Sequence, residues 1–344
     1  GITQSRYPSR TPQIIPFWSL HWIFLNYDYY YHSADLDEIR NRFAGIISVL
    51  NWFIPMLNSE GLISRVPYWC VADWSPDWHD PVWGWGIPPG TKDGASAMIN
   101  FMYISALHKV SELAQSLGYN EQAIELQEHA DAMTAAANKT FWSEKEQLYT
   151  DRPAGPEESQ LTNAWAILSD VADQQRAKVI CQRLVTDSTL CRAAFFGKFF
   201  LFRALAKADE YNQAFSMFQP WKDMLKMGCT TWPEDPSLGR SECHVWSSAP
   251  AYDFLAEILG IKPLEPGFTK ISIQPHLGSL QWARGKIPTP NGDVHVACWI
   301  ENDIFKIDGK APQGIPVLVI MPGGIQKQVD AGGEFSFSEA IKNP

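Results

Sequence analysis

Gly260-Ile261-Lys262-Pro263-Leu264-Glu265-Pro266-Gly267-Phe268 divides the chain into two kinds of periodicity. Upstream of it, apolar residues return every three or four positions. Leu36, Ile39, Phe43, Ile46, Ile47, Leu50 and Phe53 do so over 35–57, and Ile99, Met102, Tyr103, Ala106, Leu107, Val110 and Leu113 do so over 95–117. Ser33 and Asp35 suit an N-cap, and Gly118 suits a C-cap. Further helices are expected over 14–31, 121–141, 158–170, 173–186, 193–207, 209–225 and 247–259. That of 14–31 is apolar enough to be buried on most sides. Downstream, the period becomes two, in Lys270–Ile273, Asp293–Cys298, Ile304–Ile307 and Val317–Ile320, with turns expected at Asn291-Gly292 and Asp308-Gly309. The reading is mainly α. Residues 1–262 form helix hairpins arranged as a toroid or as stacked pairs, and residues 263–344 form a small antiparallel β-sandwich.

Composition narrows the function. The 344 residues are 45% hydrophobic and 19% charged, with a net charge of −10. That is a globular chain without the basic field that a nucleic acid or an anionic membrane surface would require. No apolar run reaches transmembrane length. The six Cys form no CxxC pair and read as free buried thiols, which leaves the compartment open. No phosphate-binding loop, nucleophile elbow or HExxH motif occurs. The Gly84–Gly90 stretch lacks the preceding strand of a dinucleotide site, so no cofactor is implied.

Two loops carry chemistry. Of fifteen Trp, five (Trp69, Trp74, Trp78, Trp83 and Trp85) fall between residues 69 and 85, where even spacing would place fewer than one. Flat indole faces suit sugar rings, and neighbouring carboxylates accept hydroxyl protons. The alternative is a loop packed into its own aromatic core. Asp77, His79 and Asp80 follow no metal-ligand spacing and read as a solvated polar loop. The second loop is Cys229-Thr230-Thr231-Trp232-Pro233-Glu234-Asp235, followed by Arg240-Ser241-Glu242-Cys243-His244-Val245-Trp246. Glu234 among Trp and Pro is a candidate general acid or base.

In these segments the chain resembles the α-L-rhamnosidases of glycoside hydrolase family 78. The resemblance rests on Gly1–Arg10 running into Pro12–Pro16, on Val71-Ala72-Asp73-Trp74, on Thr230–Glu234 with Ser241–His244, and on Gly260–Phe268. It implies an (α/α)6 toroid, a following β-sandwich, and inverting hydrolysis of terminal α-L-rhamnose. It also implies roles: Glu234 as general base, His244 as a sugar contact, and Asp73 and Trp74 as a wall of the sugar subsite. Trp232 and Trp85 join them as aromatic contacts. The family's general acid would lie upstream of Gly1. The chain is therefore expected to be the C-terminal part of a larger enzyme, inactive alone and completed by the missing segment or by self-association. Two other readings stay open. One is a different toroid glycosidase or a lyase recruiting Lys92, Arg240 and His244. The other is a non-catalytic sugar-binding protein.

Overall fold

A computed structural model describes residues 1–235 and 241–341. The helical periodicity becomes α1 (Pro16–Ser33), α2 (Leu36–Phe53), α3 (Ala97–Ser116), α4 (Asn120–Phe141), α5 (Gln160–Leu168), α6 (Gln174–Thr186), α7 (Phe195–Lys207), α8 (Gln219–Lys226) and α9 (Ala249–Asp253). Two expected helices are composite. The stretch 209–225 starts as a 3₁₀ run, Tyr211–Phe218, and changes to α8 at Pro220, which has no N–H to donate and suits a first helical turn. Similarly, α9 passes into a π turn over Phe254–Ile258. α1 buries Phe17, Leu20, Ile23 and Phe24 but leaves Leu25 and Tyr29 exposed, so it is less enclosed than its composition suggested. No described helix is long and apolar enough to cross a membrane.

The chain gathers into two compact units that interleave along the sequence. The first takes Gly1–Tyr27, Leu36–Glu210 and Pro233–Glu242. The second takes Asp28–Asp35, Tyr211–Trp232 and Cys243–Pro344. The change from helix to strand falls at Ile261.

Within the first unit, α3 is buried without interruption from Ala97 to Leu107, and α5 from Gln160 to Ile167. Their neighbours α4 and α6 bury single faces: Ala130, Met133, Ala137 and Phe141 on one, Ala177, Ile180, Cys181 and Leu184 on the other. Each hairpin thus pairs an enclosed helix with a covering one. Ser159 and Asp173 cap α5 and α6 by accepting from the N–H groups of Thr162 and Arg176. Gly118, at positive φ, closes α3 as expected. Two short antiparallel ladders lie in the loops: β1 (His79–Asp80) with β2 (Gly84–Trp85), and β3 (Trp142–Ser143) with β4 (Leu148–Tyr149).

The second unit holds β5 (Ile261–Glu265), β6 (Lys270–Ile273), β7 (Trp282–Thr289), β8 (Gly292–Glu301), β9 (Ile304–Ala311), β10 (Val317–Ile320), β11 (Gln326–Val329) and β12 (Gly333–Ala340). They form two four-stranded sheets, ordered β11-β10-β6-β5 and β12-β9-β8-β7. One pair, β6 with β10, is parallel, which corrects the all-antiparallel expectation. Parallel neighbours need a long connection, and here the whole of β7–β9 supplies it. Alternation sends Ile271, Ile273, Val294, Val296, Phe305, Ile307, Val317 and Val319 into one core.

The expected turn at Asp308-Gly309 lies inside β9. Gly309 stands opposite Phe335, whose ring occupies the space a Cβ would need. The true hairpin turn is Asn302-Asp303, both at positive φ, between the paired Glu301 and Ile304. Gly260 is required at the junction, because a Cβ there would collide with the backbone of Gln274.

Candidate active site

The five-indole loop does not act as one surface. Trp78 is buried and directs its indole N–H at Asp151 Oδ2, 3.4 Å away; Ser159 donates to the other oxygen at 2.7 Å. Trp69 and Trp74 are half-buried with ring centroids 6.1 Å apart. Trp83 is exposed beneath the Lys92 ammonium, and Trp85 is 59% exposed with its ring against His79. The loop is therefore divided, packed into a core at Trp78 and exposed at Trp83 and Trp85. Asp80, at the end of β1, accepts from the N–H groups of Val82 and Trp83 in the turn that follows. No group of three or more His, Cys, Asp or Glu among the described residues is placed to hold a metal ion.

Trp74 reaches furthest along the sequence. Its Nε1–H donates to Glu234 Oε1 at 3.0 Å, joining the two loops that the sequence singled out. Glu234 is only 7% exposed. Its own N–H donates to the carbonyl of Ser241 at 2.8 Å, which pins its backbone across the loop. The carboxylate is thus withdrawn from bulk water and given a fixed orientation by an aromatic donor.

Asp73 is completely buried. One oxygen accepts from the N–H of Ala194 at 2.7 Å, at the start of α7. Gly197, in the first turn of α7, leaves room for that oxygen, since a Cβ there would collide with it. The other oxygen has no hydrogen-bond partner among the described residues. Burial pushes the Asp73 carboxyl up to about 6, against the pull of the α7 N–H groups and of Lys198. Asp73 therefore sits beneath the surface that Trp74 presents.

Lys198 went unnoticed in the sequence because it stands in the Phe-rich run of α7. Its Nζ donates to Ala193 O at 2.8 Å, and burial holds its ammonium below the usual range while Asp73 acts in the opposite direction. The only sequence signal was a Gly-Lys pair in a helical first turn.

Trp232 and His244 belong to the second unit. The His244 N–H donates to Trp232 O at 2.5 Å, and the His244 ring meets Trp246 edge-on at 5.9 Å. Trp232 is 38% exposed and lines a hollow of about 770 Å³ with Phe218, Trp221, Phe254 and Trp282. Lys92 is turned to the carbonyls of Val66 and Tyr68, which occupies it structurally. Arg240 lies outside the described residues. Of the six thiols, Cys70, Cys181, Cys191 and Cys298 are buried, whereas Cys229 is half-buried and Cys243 exposed. Cys229 and Cys243 stand on either side of Glu234 in the sequence.

Comparison with known proteins follows the same division. Residues 260–336 match the bacterial α-L-rhamnosidase C-terminal domain. An α-L-rhamnosidase of Alteromonas sp. (strain LOR) is 25% identical over 319 residues, which is 87% of this chain and 34% of that protein. The crystal structure of the family 78 rhamnosidase of Bacillus sp. GL1 superposes with a TM-score of 0.81 at 26% identity, covering 93% of this chain and 34% of that one. An Aspergillus terreus α-L-rhamnosidase shares the fold with a TM-score of 0.78 at 19% identity, over 95% of this chain and 39% of that one. The chain spans about a third of the length of these relatives. Residues 4–258 match the bacterial α-L-rhamnosidase six-hairpin glycosidase domain, and the chain belongs to that family of glycoside hydrolase domains.

Proposed function

We propose that this chain carries part of the active site of an inverting α-L-rhamnosidase, which releases terminal α-L-rhamnose from glycosides, with Glu234 as the general base. The observation that supports it is the Trp74–Glu234 hydrogen bond, which orients a nearly buried carboxylate at a wall of indoles. In this reading Glu234 takes a proton from water as the water oxygen bonds to the anomeric carbon. The glycosidic C–O bond breaks on the opposite face, and an acid about 6.5–9.5 Å from the base protonates the departing oxygen. That acid is not assigned within this chain. Trp232, His244 and Trp85 are proposed to contact the sugar, with indole faces against C–H faces. Trp74 walls the subsite and fixes Glu234. Asp73 serves as a positioning residue, tying the Trp74 loop to the start of α7.

The test uses the coding sequence with its native flanks and p-nitrophenyl α-L-rhamnoside. Glu234→Gln should lower kcat by about 10²–10⁴-fold, the usual contribution of a general base. Proton NMR of the first product should show β-L-rhamnose. Near-normal turnover by the variant removes Glu234 from the mechanism, and α-L-rhamnose as the first product refutes inversion.

A further inference from the structure

The β1–β2 hairpin carries two indoles that the fold leaves in water, Trp83 at 47% exposure and Trp85 at 59%. An indole so exposed forgoes most of the apolar burial that the side chain could contribute. Both rings are nevertheless held in place. Asp80 accepts from the N–H groups of Val82 and Trp83, which fixes the turn between the strands. The Lys92 ammonium lies 4.2 Å from the Trp83 ring centroid and is itself held by the carbonyls of Val66 and Tyr68. His79, the cross-strand partner of Trp85, sets its ring 4.6 Å from that indole. Holding an exposed side chain in one place costs rotamer entropy on folding, and a ligand that meets the ordered ring is spared that cost.

The hairpin is continuous with the contact that orients Glu234. Gly86, directly after Trp85, donates its N–H to the carbonyl of Trp78 at 2.7 Å and accepts from the N–H of Ala72 at 2.8 Å. A Cβ on Gly86 would collide with the Asp73 carbonyl and would lie 3.3 Å from the Trp74 ring. Gly86, at positive φ, therefore lets the hairpin pack against the residue whose indole N–H holds Glu234. Trp74, Trp85 and Trp83 follow one another along the line of contacts that starts at that carboxylate. Their surroundings select the occupant. An ammonium, an imidazole and the Asp80 carboxylate stand around the two outer rings, which stay open to water. A flat apolar aglycone gains from enclosure between apolar walls. A sugar ring suits an open indole instead, because its C–H face lies on the ring while its hydroxyls stay in water or meet polar groups.

We propose that Trp83 is the subsite for the sugar to which the rhamnose is attached, so that the substrate is a rhamnose-capped oligosaccharide and not the rhamnoside of a flat apolar aglycone. The proposal rests on the hydrolysis assigned to Glu234, and it sets the departing sugar on Trp83, beyond the rhamnose contacted by Trp85. The coding sequence with its native flanks is assayed on methyl α-L-rhamnoside, on p-nitrophenyl α-L-rhamnoside and on a disaccharide of α-L-rhamnose linked to a neutral hexose. The parent should use the disaccharide at a lower KM than the methyl rhamnoside. Trp83→Ala should raise KM for the disaccharide about tenfold more than KM for the methyl rhamnoside, the contribution of one stacked ring. Trp83→Tyr keeps a ring and should recover most of that loss. A merely structural role would move all three substrates alike. A thio-linked disaccharide, which resists hydrolysis, is titrated calorimetrically into the parent and into Trp83→Ala, and the same tenfold loss is expected in its affinity. That titration reads the subsite even if Glu234→Gln retains turnover and the hydrolysis assignment falls. Equal use of the disaccharide and the methyl rhamnoside by the parent, equal changes on all three substrates in Trp83→Ala, or a loss confined to the p-nitrophenyl rhamnoside overturns the proposal.

Discussion

Two tryptophans of one loop each reach a distant carboxylate, and they do so to different ends. Trp78 meets Asp151 in a sealed pocket where both side chains are buried. Trp74 meets Glu234 where the indole is half-exposed. The chemistry of the contact is the same, an indole N–H donated to a carboxylate. The first contact closes off its acid on every side and can serve only to fasten the loop. The second orients an acid while leaving an aromatic wall beside it open to a ligand. Solvent access, and not the type of contact, separates an anchor from a candidate reactive group.

The comparison breaks most sharply at the two acceptors. Glu234→Gln should remove about 10²–10⁴-fold of kcat with an unchanged denaturation midpoint. If stability falls and activity survives, Glu234 is the anchor. Trp78→Ala should do the opposite, destabilising by about 3–5 kcal/mol through the cavity it opens. Urea unfolding measures this, and a loss under 1 kcal/mol would show that the loop is fastened elsewhere.

The buried acids sharpen the contrast through pH. Burial pushes the carboxyls of Asp73 and Asp151 up to about 6. The unfolded chain releases these protons near pH 4, and the folded chain holds them until about pH 6. Stability should therefore fall as pH rises through that window, by about 3 kcal/mol for each acid. Asp73→Asn keeps an acceptor for the Ala194 N–H and should flatten its share of the decline. An equally steep profile in the variant would mean that Asp73 is ionised in the fold at pH 5. The smallest effect is expected from Trp74→Phe, which keeps the aromatic wall and loses the donor. A hydrogen bond to a charged group contributes about 1.5–3 kcal/mol, so kcat should drop at least tenfold with KM little changed. A change in KM alone would make Trp74 a sugar contact only.

Much of this architecture is legible in the residues. The helices of 35–57, 95–117 and 121–141 sit where their three- and four-residue steps placed them, because an amphipathic face has one way to turn toward a core. The strand of 270–273 is equally direct. Asp308-Gly309 misled because a glycine pair reads as a turn unless the aromatic that packs on it is known, and Phe335 is 26 residues away in the chain. Asn302-Asp303 made the turn with no glycine, using two residue types that tolerate the left-handed region. In the site, the clustering of indoles and the placing of Glu234 among Trp and Pro were visible. The burial of Asp73 and the nearness of Lys198 were not, because both depend on where α7 begins relative to a loop more than a hundred residues earlier.

By itself, the sequence determined the order of the main helices and four of the twelve described strands, the change of period near Pro263, and the two loops rich in aromatic and acidic side chains. These follow from spacing along one chain, and hydrophobic periodicity is a local property. Only the tertiary structure decided which indole is anchor and which is wall, and that Trp74 holds Glu234. Those outcomes depend on which side chains lose their water to distant partners, and pairing between distant segments leaves no period in the residues that make it.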